Sequence, residues 1–507
     1  MTALNTNARI AVIGAGAMGA GIAQVAAQAG HPVLLLDNRP GAAALAIDGI
    51  DRQLGKRVEK GKLAAEARTA TIARLRAVEA IEALADCELV IEAIVENLEV
   101  KRTLFRQLES ICDERCILAS NTSSLSITSI AAQLNHPQRL LGLHFFNPAP
   151  IMALVEIVSG LASDPALAQC LYDTARAWGK KPVHTRSTPG FIVNRVARPF
   201  YAESLRLLQE GAADCPTLDA LMRDAGGFAM GAFELTDLIG HDVNYAVTCS
   251  VFDAYYGDTR FLPSLIQKEL VDAGRLGRKS GQGFYSYAEG TERPQPTSIS
   301  SEWPVETCVA EGDLGIANAL ISRFREHGID VVQRDGQGLL RVGDAVLALS
   351  DGRMACERAN ADGLRNLILL DLAFDYGKAS RIAISCSAGI EPCALEQGVA
   401  LLQQAGFKVS LLSDSPALAV LRTVAMLANE AADALLHGVA SAADIDLAMR
   451  AGVNYPQGPL AWADAIGLSQ ILTVLEHLQA SYGEERYRPS LLLRRRVAEG
   501  RTFHDKP

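Results

Sequence analysis

No stretch of this 507-residue chain is apolar for long enough to cross a bilayer, which takes roughly 20 residues. Its start, MTALNTNARIAVIG, lacks the charged segment and apolar core of a secretory signal, so none is expected. The ten cysteines form no CxxC pair and no metal-like spacing. Without an export signal they read as reduced thiols of a cytoplasmic protein, and no metal site is expected. Basic residues are not in excess: Lys+Arg number 48 against 58 Asp+Glu, a net charge of −10. That excludes nonspecific nucleic-acid binding. A phosphate-bearing ligand must instead be held locally, by lysines, helix N-termini or backbone amides. What is present suits a folded soluble protein of several domains, with 49% hydrophobic and 21% charged residues.

The first motif is IAVIGAGAMGAGIAQVAAQAGHPVLLLD. An apolar β-type run, a glycine turn, a helix-forming segment, a second apolar run and an acid follow one another. Gly14, Gly16 and Gly19 stand in GxGxxG spacing around Ala17 and Met18, and Asp37 lies 23 residues after Gly14. This is the dinucleotide fingerprint in its full context. Gly14 permits the turn, Gly16 lets backbone approach a pyrophosphate, and Gly19 lets helix and strand pack. Asp37 accepts hydrogen bonds from a ribose 2′-hydroxyl and repels a 2′-phosphate, which favours NAD over NADP, with Arg39 nearby as a counter-signal. Further strands are expected at LVIEAIV (89–95) and CILAS (116–120), with a helix between them. Alternating strands and helices imply a parallel sheet covered on both faces. Glu96, Asn97 and the run Ser120–Ser123 follow strand ends, where ligands of such sheets bind.

Taken together, GAGAMGAGIA, IEAIVENLEVK, ASNTSSL, LHFFNPAPIMALVEIV, TPGFIVNR and GRKSGQGFY resemble the L-3-hydroxyacyl-CoA dehydrogenase family, in its order and spacing over residues 8–287. The resemblance implies NAD as cofactor and an acyl-CoA thioester as substrate. It implies His144 as catalytic base, with Glu156 as its carboxylate partner. A histidine suits proton removal near neutral pH, and a carboxylate on its other nitrogen orients it and stabilises the imidazolium. It further implies that Ser123 and Asn194 contact substrate, that Ser123 also touches the cofactor, and that Glu96, Lys101, Asn147 and Lys279 contact the cofactor. Lys60 is a weaker match to a lysine that holds coenzyme A phosphate, equally readable as a solvated helix lysine. In the family the helical domain closes over substrate and forms the dimer contact. Read without the family, a histidine in an apolar run is usually structural; a dehydrogenase of a free hydroxy acid and a noncatalytic binding protein are the rival readings.

The helical pattern begins at FIVNRVARPFYAESLRLLQEG and continues through PTLDALMRDAG and LTDLIGHDVNYAVTCSVFDAYY. Beyond residue 290, ERPQPTSISSEWP reads as a linker. The rest repeats the first half at a constant offset of 227 residues: Asp219 with Asp446, Gly231 with Gly458, Asp237 with Asp464, Gly240 with Gly467, Arg195 with Arg422 and Glu203 with Glu430. Asn194 falls on Leu421. Residues 305–412 read as a shortened nucleotide-domain remnant, or else an unrelated α/β insert. In that remnant GDLG replaces the glycine fingerprint, RIAISCSAG resembles the strand before the serine loop, and nothing corresponds to LHFFNP. The expected architecture is an α/β Rossmann-type NAD domain (1–187), an all-α domain (188–287), a linker (288–304), a degenerate α/β segment (305–412) and a second all-α domain (413–507). The helical domains are expected to pack as an internal pseudo-dimer, with a homo-oligomer of the whole chain left open. The long form with a degenerate second half resembles bacterial 3-hydroxyadipyl-CoA dehydrogenases of phenylacetate breakdown and longer 3-hydroxybutyryl-CoA dehydrogenases.

Overall fold

The computed structural model describes residues 3–505. They form two compact units. One runs to Arg195 and takes in His437–Val453; the other comprises Val196–Leu436 and the chain from Asn454 onward. Among the described residues no helix is long and apolar enough to cross a membrane.

The first unit is built on eight strands: β1 (Ile10–Ile13), β2 (Val33–Leu36), β3 (Leu75–Val78), β4 (Leu89–Glu92), β5 (Ile117–Ser120), β6 (Leu140–Phe145), β7 (Leu154–Ser159) and β8 (Lys181–Arg186). They lie in the order β3-β2-β1-β4-β5-β6-β7-β8, all parallel except for the β6–β7 pair. Strand side chains alternate between faces. Ile10 and Val12 therefore enter one core, and Ala11 and Ile13 the other. Continuous apolar strands follow from burial on both sides. The order reverses between β1 and β4, so the crevice for a ligand opens at their carboxyl ends.

Two expected elements are broken by local chemistry. The strand LVIEAIV stops at Glu92, whose carboxylate accepts from the Ile94 amide at 2.7 Å and so turns the chain out of the ladder. The single helix expected over residues 235–256 is two, Ala232–Ile239 and His241–Ala254, parted at Gly240 with φ 100°.

The second unit holds β9 (Thr307–Glu311), β10 (Asp330–Arg334), β11 (Leu339–Val342), β12 (Ala345–Leu349), β13 (Leu367–Leu370), β14 (Arg381–Cys386) and β15 (Lys408–Leu411), ordered β10-β9-β11-β12-β13-β14-β15. The helices Pro392–Gln404 and Cys215–Asp224 pack on this sheet, and the helix Arg198–Gln209 packs on Val420–Leu436. Two sequence assignments need correction here. RIAISC is β14, parallel to β15 and antiparallel to β13, which is the position β7 holds between β8 and β6; the strand in the place of β5 is β12. LHFFNP also has a positional counterpart. Leu370 pairs Ile384, and the Asp371 amide donates to Ala383 at 3.0 Å. Asp371 thus faces Ala383 as His144 faces Glu156, both at the 227-residue offset. The change of residue type hid it.

The same offset recurs in backbone conformation. Gly190 and Phe191 have φ of 75° and 48°; Ala417 and Leu418 have 58° and 52°. Gly240 and Gly467 stand at 100° and 102°.

The unit boundaries differ from the sequence division at two places. Residues 288–304 are laid against the second sheet rather than free. Ile299 bridges Val409, and Arg381 NH1 donates to Ser298 Oγ at 2.9 Å. The helix Ala442–Val453, assigned by sequence to the second helical domain, packs on β7 and β8 of the first unit. Gly452 makes this possible, since a Cβ there would come within 2.6 Å of Leu154 Cδ2.

Candidate active site

His144 and Glu156 stand directly opposite each other on the antiparallel β6–β7 pair. His144 Nδ1 and Glu156 Oε2 are 2.6 Å apart. His144 is 5% exposed and Glu156 0%. The second carboxylate oxygen, Oε1, accepts from the amides of Ile192 and Val193, each at 3.1 Å. Those amides are turned inward by the left-handed pair Gly190 and Phe191. The imidazole lies 4.5 Å from the Phe146 ring and 5.7 Å from Phe191. With Nδ1–H given to the carboxylate, Nε2 is left as a proton acceptor; among the described residues it has no hydrogen-bond partner.

Asn194 and Ser123 join this pair through the chain. Asn194 follows the two amides held by Glu156, and its Nδ2 lies 3.5 Å from the Ser123 carbonyl oxygen. Asn121, at the head of the same loop, accepts from the Phe145 amide at 2.8 Å and ties the loop to β6 beside His144. Glu96 gathers the loop from the other side. Its Oε1 accepts from Thr122 Oγ1 at 2.6 Å, the Ser123 amide at 3.0 Å and the Ser124 amide at 3.1 Å. Desolvation raises the Glu96 carboxyl, but the Lys101 ammonium and the hydroxyl donors outweigh it and hold its pKa below the usual value.

Lys101, expected at the cofactor, lies in the first unit beneath this loop. It is 1% exposed, clamped between Glu92 at 2.6 Å and Glu96 at 3.2 Å. Asn147 is exposed just past β6. Lys60 is exposed at the end of the helix Ala42–Glu59 and forms no ion pair among the described residues. Lys279, in the other unit, pairs with Asp242 at 2.5 Å.

Two supports escaped the sequence reading. Glu92 accepts from Lys101 and, at 2.6 Å, from Ser120 Oγ; its signal was an acid inside an apolar strand. Lys180 donates to the carbonyls of Ala149 at 2.5 Å and Met152 at 2.9 Å, stapling the β6–β7 connection that sets the His–Glu register. Burial lowers its pKa.

The glycine turn fits a dinucleotide. A Cβ on Gly19 would come within 1.7 Å of the Gly14 carbonyl oxygen, whereas one on Gly16 would meet nothing within 4 Å. Gly16 therefore faces open space at the N-terminus of the helix Ala17–Gln28, where amides and dipole receive phosphate. Asp37 accepts from the Ala15 amide at 2.7 Å and from Arg39 Nε at 3.0 Å. Partial burial raises Asp37, and the Arg39 and Ala15 bonds then bring it below its usual value. A groove of about 1090 Å³ runs from Gly14 and Gly16 past Asp37 to Ile94 and Val100.

Family models agree with this site. Residues 9–188 match the NAD binding domain of 3-hydroxyacyl-CoA dehydrogenase, and residues 190–287 and 419–506 each match its C-terminal domain. The chain belongs to the 3-hydroxyacyl-CoA dehydrogenase family. It is an NAD-dependent oxidoreductase that interconverts a 3-hydroxyacyl-CoA and a 3-oxoacyl-CoA. Residues 347–416 match the reduced Rossmann-fold domain of 3-hydroxybutyryl-CoA dehydrogenase. A 3-hydroxyadipyl-CoA dehydrogenase of Escherichia coli is 48% identical over 96% of this chain and 97% of its own length. A crystal structure of 3-hydroxybutyryl-CoA dehydrogenase from E. coli K12 superposes with a TM-score of 0.89 at 46% identity, covering 98% of this chain and 99% of that one. The human mitochondrial hydroxyacyl-coenzyme A dehydrogenase is 41% identical over 55% of this chain and 90% of its own length.

Proposed function

We propose that His144 is the general base of this dehydrogenase and that the preferred substrate is an (S)-3-hydroxyacyl-CoA whose acyl chain ends in a carboxylate. The observation that carries the catalytic assignment is the buried 2.6 Å His144–Glu156 contact with Nε2 left free. Nε2 takes the C3 hydroxyl proton, and Glu156 fixes the tautomer and stabilises the imidazolium. NAD, held by the glycine turn and Asp37, supplies the hydride acceptor. Ser123 and Asn194 hydrogen-bond the C3 oxygen, and Glu96 with Lys101 keeps the serine loop in place. The dicarboxylic substrate is supported by the adipyl-CoA relative, which matches along almost the whole chain. A kinetic panel of hydroxybutyryl, longer alkyl and hydroxyadipyl thioesters, beside free hydroxy acids, tests it. The highest kcat/KM on the hydroxyadipyl thioester is expected; preference for alkyl chains contradicts it. Ten free thiols support action in the cytoplasm.

The second half is read as a copy that kept its helical domain and lost its chemistry. The 227-residue offset supports this in strand register, in backbone conformation and in contacts. Asp371 takes over the role of Glu156: it accepts from the amides of Ala419 at 3.1 Å, Val420 at 2.8 Å and Leu421 at 2.9 Å. These residues are the 227-residue counterparts of Ile192, Val193 and Asn194. Asp371 stands where the offset would put the histidine, and the reading gives one NAD per chain. The two helical domains pack as an internal pseudo-dimer. Supporting this, Tyr487 donates to Glu203 at 3.1 Å, and Arg260 donates to Glu430 at 3.1 Å. Tyr487 is the counterpart of Arg260, and Glu430 of Glu203. Contacts reciprocal in this way are the mark of an isologous interface.

A further inference from the structure

Among the described residues of the second unit two buried guanidinium groups form no ion pair: Arg323, which donates to the carbonyls of Ala405, Tyr376 and Ala379, and Arg198, which has no such set of carbonyls. Arg198 opens the helix Arg198–Gln209 and is 6% exposed. Its NH1 donates to Thr248 Oγ1 at 3.0 Å, and its guanidinium lies 4.9 Å from the Tyr201 ring centre. Its Nε is buried without a hydrogen-bond partner. Its neighbours are neutralised: Arg206 pairs with Glu203, and Arg260 with Glu430 and Asp433. Arg198 forms no ion pair among the described residues. Burial lowers its pKa, yet a guanidinium stays charged at neutral pH. Buried charges are ordinarily paired, because an isolated one is strongly disfavoured away from water.

Arg198 lines a cavity of about 190 Å³. Three further buried donors without partners belong to residues lining the same space: the hydroxyl of Ser264, NH2 of Arg206 and Nε of Arg260. Four donors without acceptors ask for an anion, and of their side chains only Arg198 and Ser264 lack a carboxylate partner. The exposed part of the lining is mostly apolar, Leu262 and Leu265 beside Gln209. A carbon chain suits that part better than a phosphate does. The volume exceeds that of engineered cavities that take up benzene, about 150 Å³.

We propose that this cavity binds the carboxylate at the end of an aliphatic chain, with Arg198 as counter-ion and Ser264 as hydrogen-bond donor. Such a group has two sources. One is the tail of the substrate itself, which rests on the dicarboxylic reading above. The other is a free dicarboxylic acid.

Two measurements decide between them. In the first, the intact enzyme and Arg198→Met are assayed with NAD on 3-hydroxyadipyl-CoA and 3-hydroxybutyryl-CoA. In the second, both proteins are melted with adipate and with uncharged adipamide. Loss of a charged hydrogen-bond pair predicts a fall in kcat/KM of about 10²-fold on the adipyl thioester alone. Turnover of the butyryl thioester should stay within about twofold, and Arg198→Lys should recover part of the loss. If both thioesters are unaffected but adipate raises the Tm of the wild type and not of the variant, the site takes a free acid. The proposal is overturned if the variant affects both thioesters alike and adipate shifts both proteins equally. Should Arg198→Met not fold, the wild type decides: stabilisation by adipate but not adipamide supports the site, and equal effects overturn it. A wild type that oxidises neither thioester defeats the functional reading, while the melting arm still judges the cavity.

Discussion

Replacing Glu156 by glutamine perturbs the proposed mechanism at its most constrained atom. The carboxylate is fully buried and accepts three hydrogen bonds, one from His144 at 2.6 Å and two from the amides of Ile192 and Val193 at 3.1 Å. A carboxamide of the same shape keeps its oxygen on the two amides and turns its NH₂ toward Nδ1. The imidazole must then carry its proton on Nε2, where the substrate proton has to go. Hydrogen bonds to charged groups contribute about 1.5–3 kcal/mol, worth about 10- to 150-fold in rate if expressed only in the transition state. Inversion of the tautomer adds to this, so kcat should fall by about 10²- to 10⁴-fold. NAD affinity should stay near wild type, because the glycine turn and Asp37 lie on other strands. The assay is NADH formation across a pH series, with NAD binding measured by calorimetry. A Glu156→Gln enzyme with wild-type kcat would refute the orienting role of the carboxylate, and equal loss of NAD binding would point to a folding defect instead.

Other expectations test separate parts of the molecule. Asp37→Ala should narrow the ratio of NAD to NADP turnover by removing the group that repels a 2′-phosphate; kinetics with both cofactors check this, and a wild type already preferring NADP would transfer the role to Arg39. Asp371 has its carboxyl pushed up from 3.8 to about 6, chiefly by desolvation, despite its amide donors. A folded pKa above the unfolded one gives stability that is complete below pH ~4 and lost as pH rises through ~6, roughly 3 kcal/mol in all. Asp371→Asn should remove that slope, so urea titrations that stay parallel between pH 4 and 7 would contradict it. Truncation near residue 290 removes both the helix Val420–Leu436, which packs on Arg198–Gln209, and the helix Ala442–Val453. The exposed apolar faces should drive aggregation or a new dimer, visible by light scattering; a monomer of unchanged stability would argue against the internal pseudo-dimer.

Much of the catalytic unit was legible in the sequence because its signals are local. The glycine turn, the acid after β2 and the helical spacing after Gly190 each depend on residues close in the chain. The His–Glu pair was legible through its motif, and a short connection between two strands brings it together. What stayed hidden depends on contacts distant in sequence. Lys101 was expected at the cofactor, but its burial between Glu92 and Glu96 depends on a strand and a loop that its own helix does not reveal. The partner of the helix Ala442–Val453 is set by the absent side chain of Gly452, which periodicity does not reveal. Asp371 escaped notice because it is not a histidine and no LHFFNP motif surrounds it, so that only strand register and backbone place it opposite Ala383 as His144 stands opposite Glu156.

The measurement that bears most directly on the central claim is turnover of a 3-hydroxyacyl-CoA by His144→Gln at saturating NAD, with NAD affinity measured on the same sample. The account predicts kcat lowered by at least ~10²-fold with NAD affinity unchanged, the usual size of a general-base contribution. Turnover near that of the wild type would contradict it and remove His144 from the chemistry.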